Sequence, residues 1–362
     1  MAAPLEQMQQ DMAAEDIDAA FLLKPHNVFY FGGYASVCSG VVLFPDQEPV
    51  YCTLWLDLPE AKQACTISTI TTYVYPKESL TGRMIQIAAK KKTGIRRIGV
   101  EKDFMQIRHL ELLQSHFPQA EFVHVSPMVD RLRAIKSDEE VTKMRRAATI
   151  ADQAIAAALA AVRPGVSELE VAAEAEYVMS KAGSLRPAFS TFVASGERTL
   201  LAHPIASPKL IAPGEPVVID LGAIWEGYSS DICRTTFAGE PSRAQADYLR
   251  LVVKAQGACA AAVKAGALAG EPWEAAHQIF SDYGVGRYLP DDIGYGVGLR
   301  QSEFYPILEK GSTTVLKQNM VVALMQTTAF SKEIGGLRVE DTFLVTKQGS
   351  ERLTSHQQEL YQ

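Results

Sequence analysis

The sequence predicts an α+β protein of two domains: a smaller α/β domain over residues 1–130, then a linker helix and a larger domain over 131–362. Three observations carry this. The chain has 362 residues, more than one core normally holds. Its first part alternates short β-type runs with helical patterns, as a small α/β domain does. Its second part interleaves long helices with strands, which implies helices packed on one curved, largely antiparallel sheet.

Taken in order, a helix is predicted near residues 4–15. Strands follow at 18–23 (DAAFLL), 41–45 (VVLFP), 50–54 (VYCTL) and 97–100 (RIGV), with a helix at about 105–116. The segment RLRAIKSDEEVTKMRRAATIADQAIAAALAAV, residues 131–162, reads as a basic linker running into a long alanine-rich helix. Ser137 caps that helix with Glu140 three residues on, a capping box, and Arg163-Pro164-Gly165 stops it. Beyond it, helices are predicted at about 167–183, 242–265 and 272–284, and strands at 190–194, 217–223, 229–237, 293–299, 320–326 and 337–346. No short-period repeat is present, which excludes a solenoid.

Composition is that of a globular protein, 47% hydrophobic and 21% charged. With 42 acidic against 35 basic side chains the formal charge is -7, and no basic tract interrupts it, so a nucleic-acid partner is not expected. The first twenty residues are polar and acidic, and no run approaches the length of a membrane span. A cytoplasmic protein with no membrane partner is the expectation. Cys38, Cys52, Cys65, Cys233 and Cys259 are odd in number and show no CxxC spacing, so reduced, buried thiols are expected.

The chemistry concentrates in four places. VVIDLGAIWEGYSSDICRTTF, residues 217–237, reads as a hairpin whose arms carry Asp220 and Asp231 within apolar runs. With the turn centred on Trp225-Glu226 and closed by Gly227, Asp220 falls opposite Asp231. Like charges facing each other destabilise a ladder, and buried carboxylates must be paired, protonated or metal-bound. The hairpin therefore asks for a cation or a shared proton. Ala202-His203-Pro204 precedes it, Gly294-Tyr295-Gly296-Val297-Gly298 and Glu303 follow it, and LRVEDTFLVT at 337–346 places Glu340 inside an alternating strand.

These motifs, with NVFYFGGY at 27–34, the RAIKSDEE linker and FSTFVASGERTLLAHP at 189–204, resemble the pita-bread metallopeptidase family. That family includes aminopeptidase P and prolidase and the non-peptidases creatinase and ectoine hydrolase. The resemblance implies a creatinase-like N-terminal domain, a C-terminal pita-bread domain and a homodimer. Peptidases of the family hold two metals with two aspartates, a histidine and two glutamates. Asp220, Asp231 and Glu340 match three of these positions. Tyr295 stands where the histidine of GHGIG would be, Met325 of MVVALMQ where the glutamate of MVFTIEP would be, and Ser302 at about the place of a second histidine. A phenol and a thioether are poor ligands for hard divalent ions. The expectation is thus no metal cofactor, or one ion, Mn or Mg, on Asp220, Asp231 and Glu340.

The favoured reading is a hydrolase of a C–N bond in a small nitrogen-rich compound, like creatinase or ectoine hydrolase, working without the metal pair. A water or Asp220 attacks, His203 moves the proton, Tyr295 bonds the developing charge, and Asp231 and Glu340 hold cationic nitrogens of the substrate. One alternative is an Xaa-Pro dipeptidase-like enzyme with a single ion; another is an inactive binder of a peptide or protein partner. Arg300, Glu303, Met325 and Arg338 are candidate substrate contacts. By the resemblance so are Phe31 and Tyr34, reaching the site of a partner subunit. Each has a blander reading: Met325, Phe31 and Tyr34 as core, Arg338 and Arg234 as counter-charges, His203 as a structural histidine and Tyr295 as a space-filler.

Overall fold

Two units, Met1–Arg133 and Ala134–Gln362, partition the chain, and the computed structural model describes residues 4–327 and 334–361. The first unit is built on six short strands: β1 (Ala19–Leu22), β2 (Gly40–Leu43), β3 (Val50–Leu54), β4 (Ile70–Tyr73), β5 (Arg97–Val100) and β6 (Glu121–His124). Their order is β4-β3-β2-β1-β5-β6, with β1 antiparallel to β2 and parallel to β5. Every residue of central β1 is buried: Ala20 and Leu22 face one hydrophobic cluster, Ala19 and Phe21 another. Helices α1 (Pro4–Ala14), α2 (Pro25–Gly32), α3 (Leu58–Ala64), α4 (Leu80–Lys91), α5 (Ile107–His116) and α6 (Ser126–Ala134) complete this part of the chain. The predicted strands are β1, β2, β3 and β5. The two without a prediction, β4 and β6, are the sheet edges, where ITTY and EFVH keep half-exposed faces and lose the apolar run that marks a central strand.

In the second unit the long helix α7 (Asp138–Ala161) starts at a capping box in which Ser137 and Glu140 each satisfy the other's backbone N–H. Three more helices follow: α8 (Glu168–Lys181), α9 (Arg243–Ala262) and α10 (Glu271–Asp282). The strands are β7 (Phe192–Ser195), β8 (Pro216–Leu221), β9 (Ile224–Trp225), β10 (Tyr228–Ser229), β11 (Ile232–Phe237), β12 (Asp292–Gly296), β13 (Glu303–Glu309), β14 (Val321–Thr327), β15 (Arg338–Val345) and β16 (Ser350–Arg352). All but β9 and β10 join one antiparallel sheet in the order β13-β12-β14-β15-β11-β8-β7, with β16 paired to β15. Alternation divides its faces. Val193, Ile219, Leu221 and Ile232 pack against α7 and α8, and Ile293, Val322, Leu324, Val339 and Phe343 against α9 and α10. The intervening residues form the opposite face, which carries the polar site.

Cys52, Cys233 and Cys259 are buried and outside any disulfide, while Cys38 and Cys65 are half-buried. No helix among the described residues is long and apolar enough to cross a membrane.

Candidate functional site

The hairpin register differs from the predicted one. Glu226 and Gly227 both have left-handed backbones, φ 46° and 86°, so they form the two-residue turn, flanked by the Trp225–Tyr228 pair. That geometry is the type I′ turn that suits strand twist and needs positive φ at both centres. The turn centre moves by one residue, and Asp220 faces Cys233 rather than Asp231. A register shift of two residues preserves which face each side chain takes, so both aspartates still point the same way. Just before β11, the Thr342 hydroxyl accepts from the Asp231 N–H at 3.1 Å and donates to its carbonyl at 2.8 Å.

Paired neighbours in an antiparallel sheet share a face, and the ladder sets Phe192, Asp220, Cys233, Glu340 and Met325 in one row across five strands. Asp231, just before β11, and Arg338, on β15, lie two residues along the chain from members of this row, and Tyr295 is diagonal to Met325 through its partner Ala323. One carboxylate oxygen from each of Asp220, Asp231 and Glu340 lies within 4.8 Å of the others.

The oxygens divide into two sets. Tyr295 donates its hydroxyl toward Asp231 Oδ2 at 2.8 Å and Glu340 Oε1 at 3.1 Å. Gln301 Nε2 donates to the same Asp231 Oδ2 and to the Tyr295 oxygen, each at 2.6 Å. By contrast, Asp220 Oδ1, Asp231 Oδ1 and Glu340 Oε2 are buried with no hydrogen-bond partner among the described residues. Such orphaned acceptors are uncommon in folded proteins and call for an occupant. Burial pushes the Asp220 carboxyl up to about 7 against the pull of Arg338. Burial, then the neighbouring carboxylates, raise Asp231 and Glu340 well above the usual range, and the Tyr295 phenol rises for the same reasons. Without a cation, this cluster retains protons at neutral pH. Three converging hard oxygens fit one divalent ion such as Mn or Mg. A second ion lacks a comparable donor set, because a phenol–amide pair and a thioether stand around the remaining oxygens.

A cavity of about 480 Å³ opens onto Asp220, Tyr295 and Arg338. Phe189, Phe192, Leu200, Pro290 and Met325 supply apolar wall, and His203, Asp292, Gln301 and Ser302 supply polar groups. The His203 ring stands edge-on to Phe192 at 5.9 Å, and no described residue hydrogen-bonds its nitrogens. Its side chain is exposed. Arg338 donates to the carbonyls of Thr199 at 3.2 Å, Ala202 at 2.9 Å and Leu201. It is both a counter-charge to Asp220 and an anchor for the chain bearing His203.

With this geometry in place, comparison with known proteins is decisive. Residues 142–347 match the model of metallopeptidase family M24, and residues 4–135 match the creatinase/prolidase N-terminal domain. The chain belongs to family M24. It is 35% identical to an Xaa-Pro dipeptidase of Pyrococcus horikoshii over 96% of both chains, and 32% identical to a putative dipeptidase of Bacillus subtilis over 94% of both. Among solved structures, the prolidase of Pyrococcus horikoshii superposes with a TM-score of 0.91 at 33% identity over 99% of both chains. An Xaa-Pro dipeptidase from Bacillus anthracis gives 0.91 at 31% identity, covering 99% of this chain and 98% of that one. The two-domain pita-bread architecture follows from these matches.

Not every candidate residue of this M24 chain lines the cavity. The Arg300 guanidinium stacks over Phe304 at 4.6 Å, and the Arg300 backbone N–H donates to the buried Glu303 at 3.3 Å; neither Arg300 nor Glu303 is part of the cavity wall. Their neighbours Gln301 and Ser302 are. Phe31 is buried in the first unit's core beside Tyr30, and the Tyr34 hydroxyl donates to Glu60 at 2.8 Å. Arg234 lies on the opposite sheet face, paired at 2.6 Å with Asp341. Gln301 is the site residue that the sequence reading missed. It is a neutral amide in GLRQSEFYP, a run without strand alternation, and only the hydrogen bonds to Asp231 and Tyr295 reveal its place.

Proposed function

We propose that the protein hydrolyses the C–N bond of Xaa-Pro dipeptides, using one divalent cation held by Asp220, Asp231 and Glu340. The observation that carries this reading is the division of the carboxylate oxygens. One oxygen on each of the three is orphaned, and the three carboxylates approach within 4.8 Å of one another, while Asp231 Oδ2 and Glu340 Oε1 are engaged by Tyr295. The dipeptidases and prolidases among its relatives support a peptide substrate over the creatine-like compound favoured from the sequence. A bound divalent ion would supply Lewis acidity and a more acidic water.

The chain's own residues account for the rest. His203, whose ring nitrogens no described residue engages, lines the cavity; it accepts the proton of the attacking water and returns it to the leaving nitrogen. Tyr295 and Gln301 hold Asp231 in one orientation. Arg338 offsets part of the acidic charge, and the Phe189–Phe192 pair, at 5.5 Å, offers an apolar wall for a pyrrolidine ring. A cavity of about 480 Å³ is in the range of small-molecule sites.

One observation favours a second reading. Because Tyr295 and Gln301 already satisfy part of the acidic cluster, a cationic amidine-like substrate in place of a metal would complete it. Chelated, purified protein titrated with Mn²⁺ during Ala-Pro hydrolysis separates the two. Activity that appears with one equivalent per chain supports the single-ion dipeptidase. A requirement for two equivalents refutes the single-ion site, and full turnover of a guanidino compound by chelated protein transfers the case to the second reading.

A further inference from the structure

We infer that Glu168 is a positioning residue that fixes His203 in the cavity wall; this rests on the proton-transfer role proposed for His203. The chain that bears His203 has little structure of its own. After β7 it makes one 3-10 turn, Gly196–Leu200, and then runs to β8 with no helix or strand, only single bridges from Ile205 to Phe192 and from Leu210 to Ser167. Leu201, Ala202 and His203 all have exposed side chains, so local packing does not hold them.

One buried carboxylate holds both flanks instead. Glu168, the first residue of α8, is wholly buried. Its Oε1 accepts from the Ser195 N–H at 2.8 Å and the Ser195 hydroxyl at 2.9 Å, at the end of β7. Arg198 Nε donates to both oxygens, at 3.2 and 3.0 Å. On the far side of His203, the Ser207 hydroxyl and N–H donate to Oε2 at 2.7 and 3.2 Å. Residues before and after His203 thus return to a single charge, and the helix N-terminus beneath it favours that charge. Arg338, two residues from Glu340, grips the intervening carbonyls of Thr199, Leu201 and Ala202. The clamp therefore joins the histidine-bearing chain to a cluster strand. Uncharged hydrogen bonds at the same points would be roughly half as strong.

The test is a double-mutant cycle on the full-length, Mn²⁺-loaded protein. Ala-Pro hydrolysis is measured for wild type, Glu168→Gln, His203→Ala and the double variant, with hydrogen exchange followed by mass spectrometry. Glu168→Gln is expected to lower kcat roughly 10- to 100-fold, the scale on which a misplaced catalytic group is felt, with KM little changed. In the His203→Ala background it should cost almost nothing further. Amides across 195–207 should exchange faster while those of α7 keep their protection. Equal losses in both backgrounds, or unchanged exchange over 195–207, would overturn the clamp. Ser207→Ala, which removes one donor and leaves the charge, should shift both readouts in the same direction to a smaller extent, and keeps the test open should Glu168→Gln not fold. A His203→Ala enzyme as active as wild type would remove the catalytic role of His203 itself. The exchange data, which need no turnover, tell that failure from failure of the clamp.

Discussion

Replacing Asp220 with Asn should stabilise the metal-free protein at alkaline pH. Burial carries the Asp220 carboxyl from 3.8 up to about 7 in the folded state. Its folded value lies above its unfolded value, so the native state binds the extra proton between those limits. The contribution to stability is fully present below about pH 4 and is lost as pH rises through about 7. A difference of about three units corresponds to about 4 kcal/mol, an upper figure because Asp231 and Glu340 titrate with it. Asparagine keeps the shape and needs no proton. For a domain of this size each kcal/mol moves the melting temperature by about 2–4 °C. Thermal unfolding in EDTA at pH 5 and pH 8 provides the assay. Wild type should lose several degrees between the two while the variant changes much less, so that the variant is the more stable at pH 8. Mn²⁺ at about 1,000 times its Kd should cancel that advantage, since it adds about 4.1 kcal/mol to wild type. A wild-type melting point that is flat from pH 5 to 8 in EDTA, or an Asn variant less stable at pH 8, would refute the reasoning.

Three further outcomes follow from the same geometry. Tyr295→Phe removes the donor to Asp231 and Glu340 and should cost about 1–3 kcal/mol in metal-free protein; equal urea midpoints for variant and wild type would contradict this. The double variant Tyr295→His, Met325→Glu supplies a nitrogen and a carboxylate beside Glu340, and elemental analysis should find close to two Mn per chain instead of one. Glu226→Asn places Asn-Gly at the left-handed turn, and should raise stability by about 0.5–1 kcal/mol, read as a small rise in melting temperature with activity unchanged.

Legibility in the sequence tracked burial and alternation. Central strands and the acidic residues within them were plain, because a carboxylate flanked by Val, Ile and Leu at period two has no bland explanation. Edge strands β4, β6 and β13 escaped, since a half-exposed edge keeps polar residues that mimic a loop. The hairpin register failed for a narrower reason. Gly227 was read as closing the turn, whereas it is the second turn centre, with Glu226 bearing the strain of the first. The acidic trio survived that error because its members depend on parity, not on direct opposition. Gln301 depended on neither, and Glu168 gave no sign in a helix where Glu is common. Both are sites defined by partners far away in sequence, Asp231 and Ser195–Ser207, which no local pattern encodes.

In the proposed single-ion site, the charge balance and the ion count are two aspects of the same arrangement. Asp220, Asp231 and Glu340 bring three negative charges, and Arg338 returns one, because Arg234 is committed to Asp341 on the other face. One divalent cation closes that balance. A second would leave the cluster positive and would have to displace the Tyr295 hydroxyl and Gln301 amide from Asp231 Oδ2, trading two formed hydrogen bonds for a phenol and a thioether. Met325, facing Glu340 across the ladder, is where a compensating carboxylate would have to stand. Under the proposed single-ion reading, the Tyr295–Gln301 pair would serve as a neutral substitute for a second cation: it donates hydrogens to Asp231 Oδ2 where a metal would accept electron pairs, and so holds the orientation of Asp231 that a single ion would require.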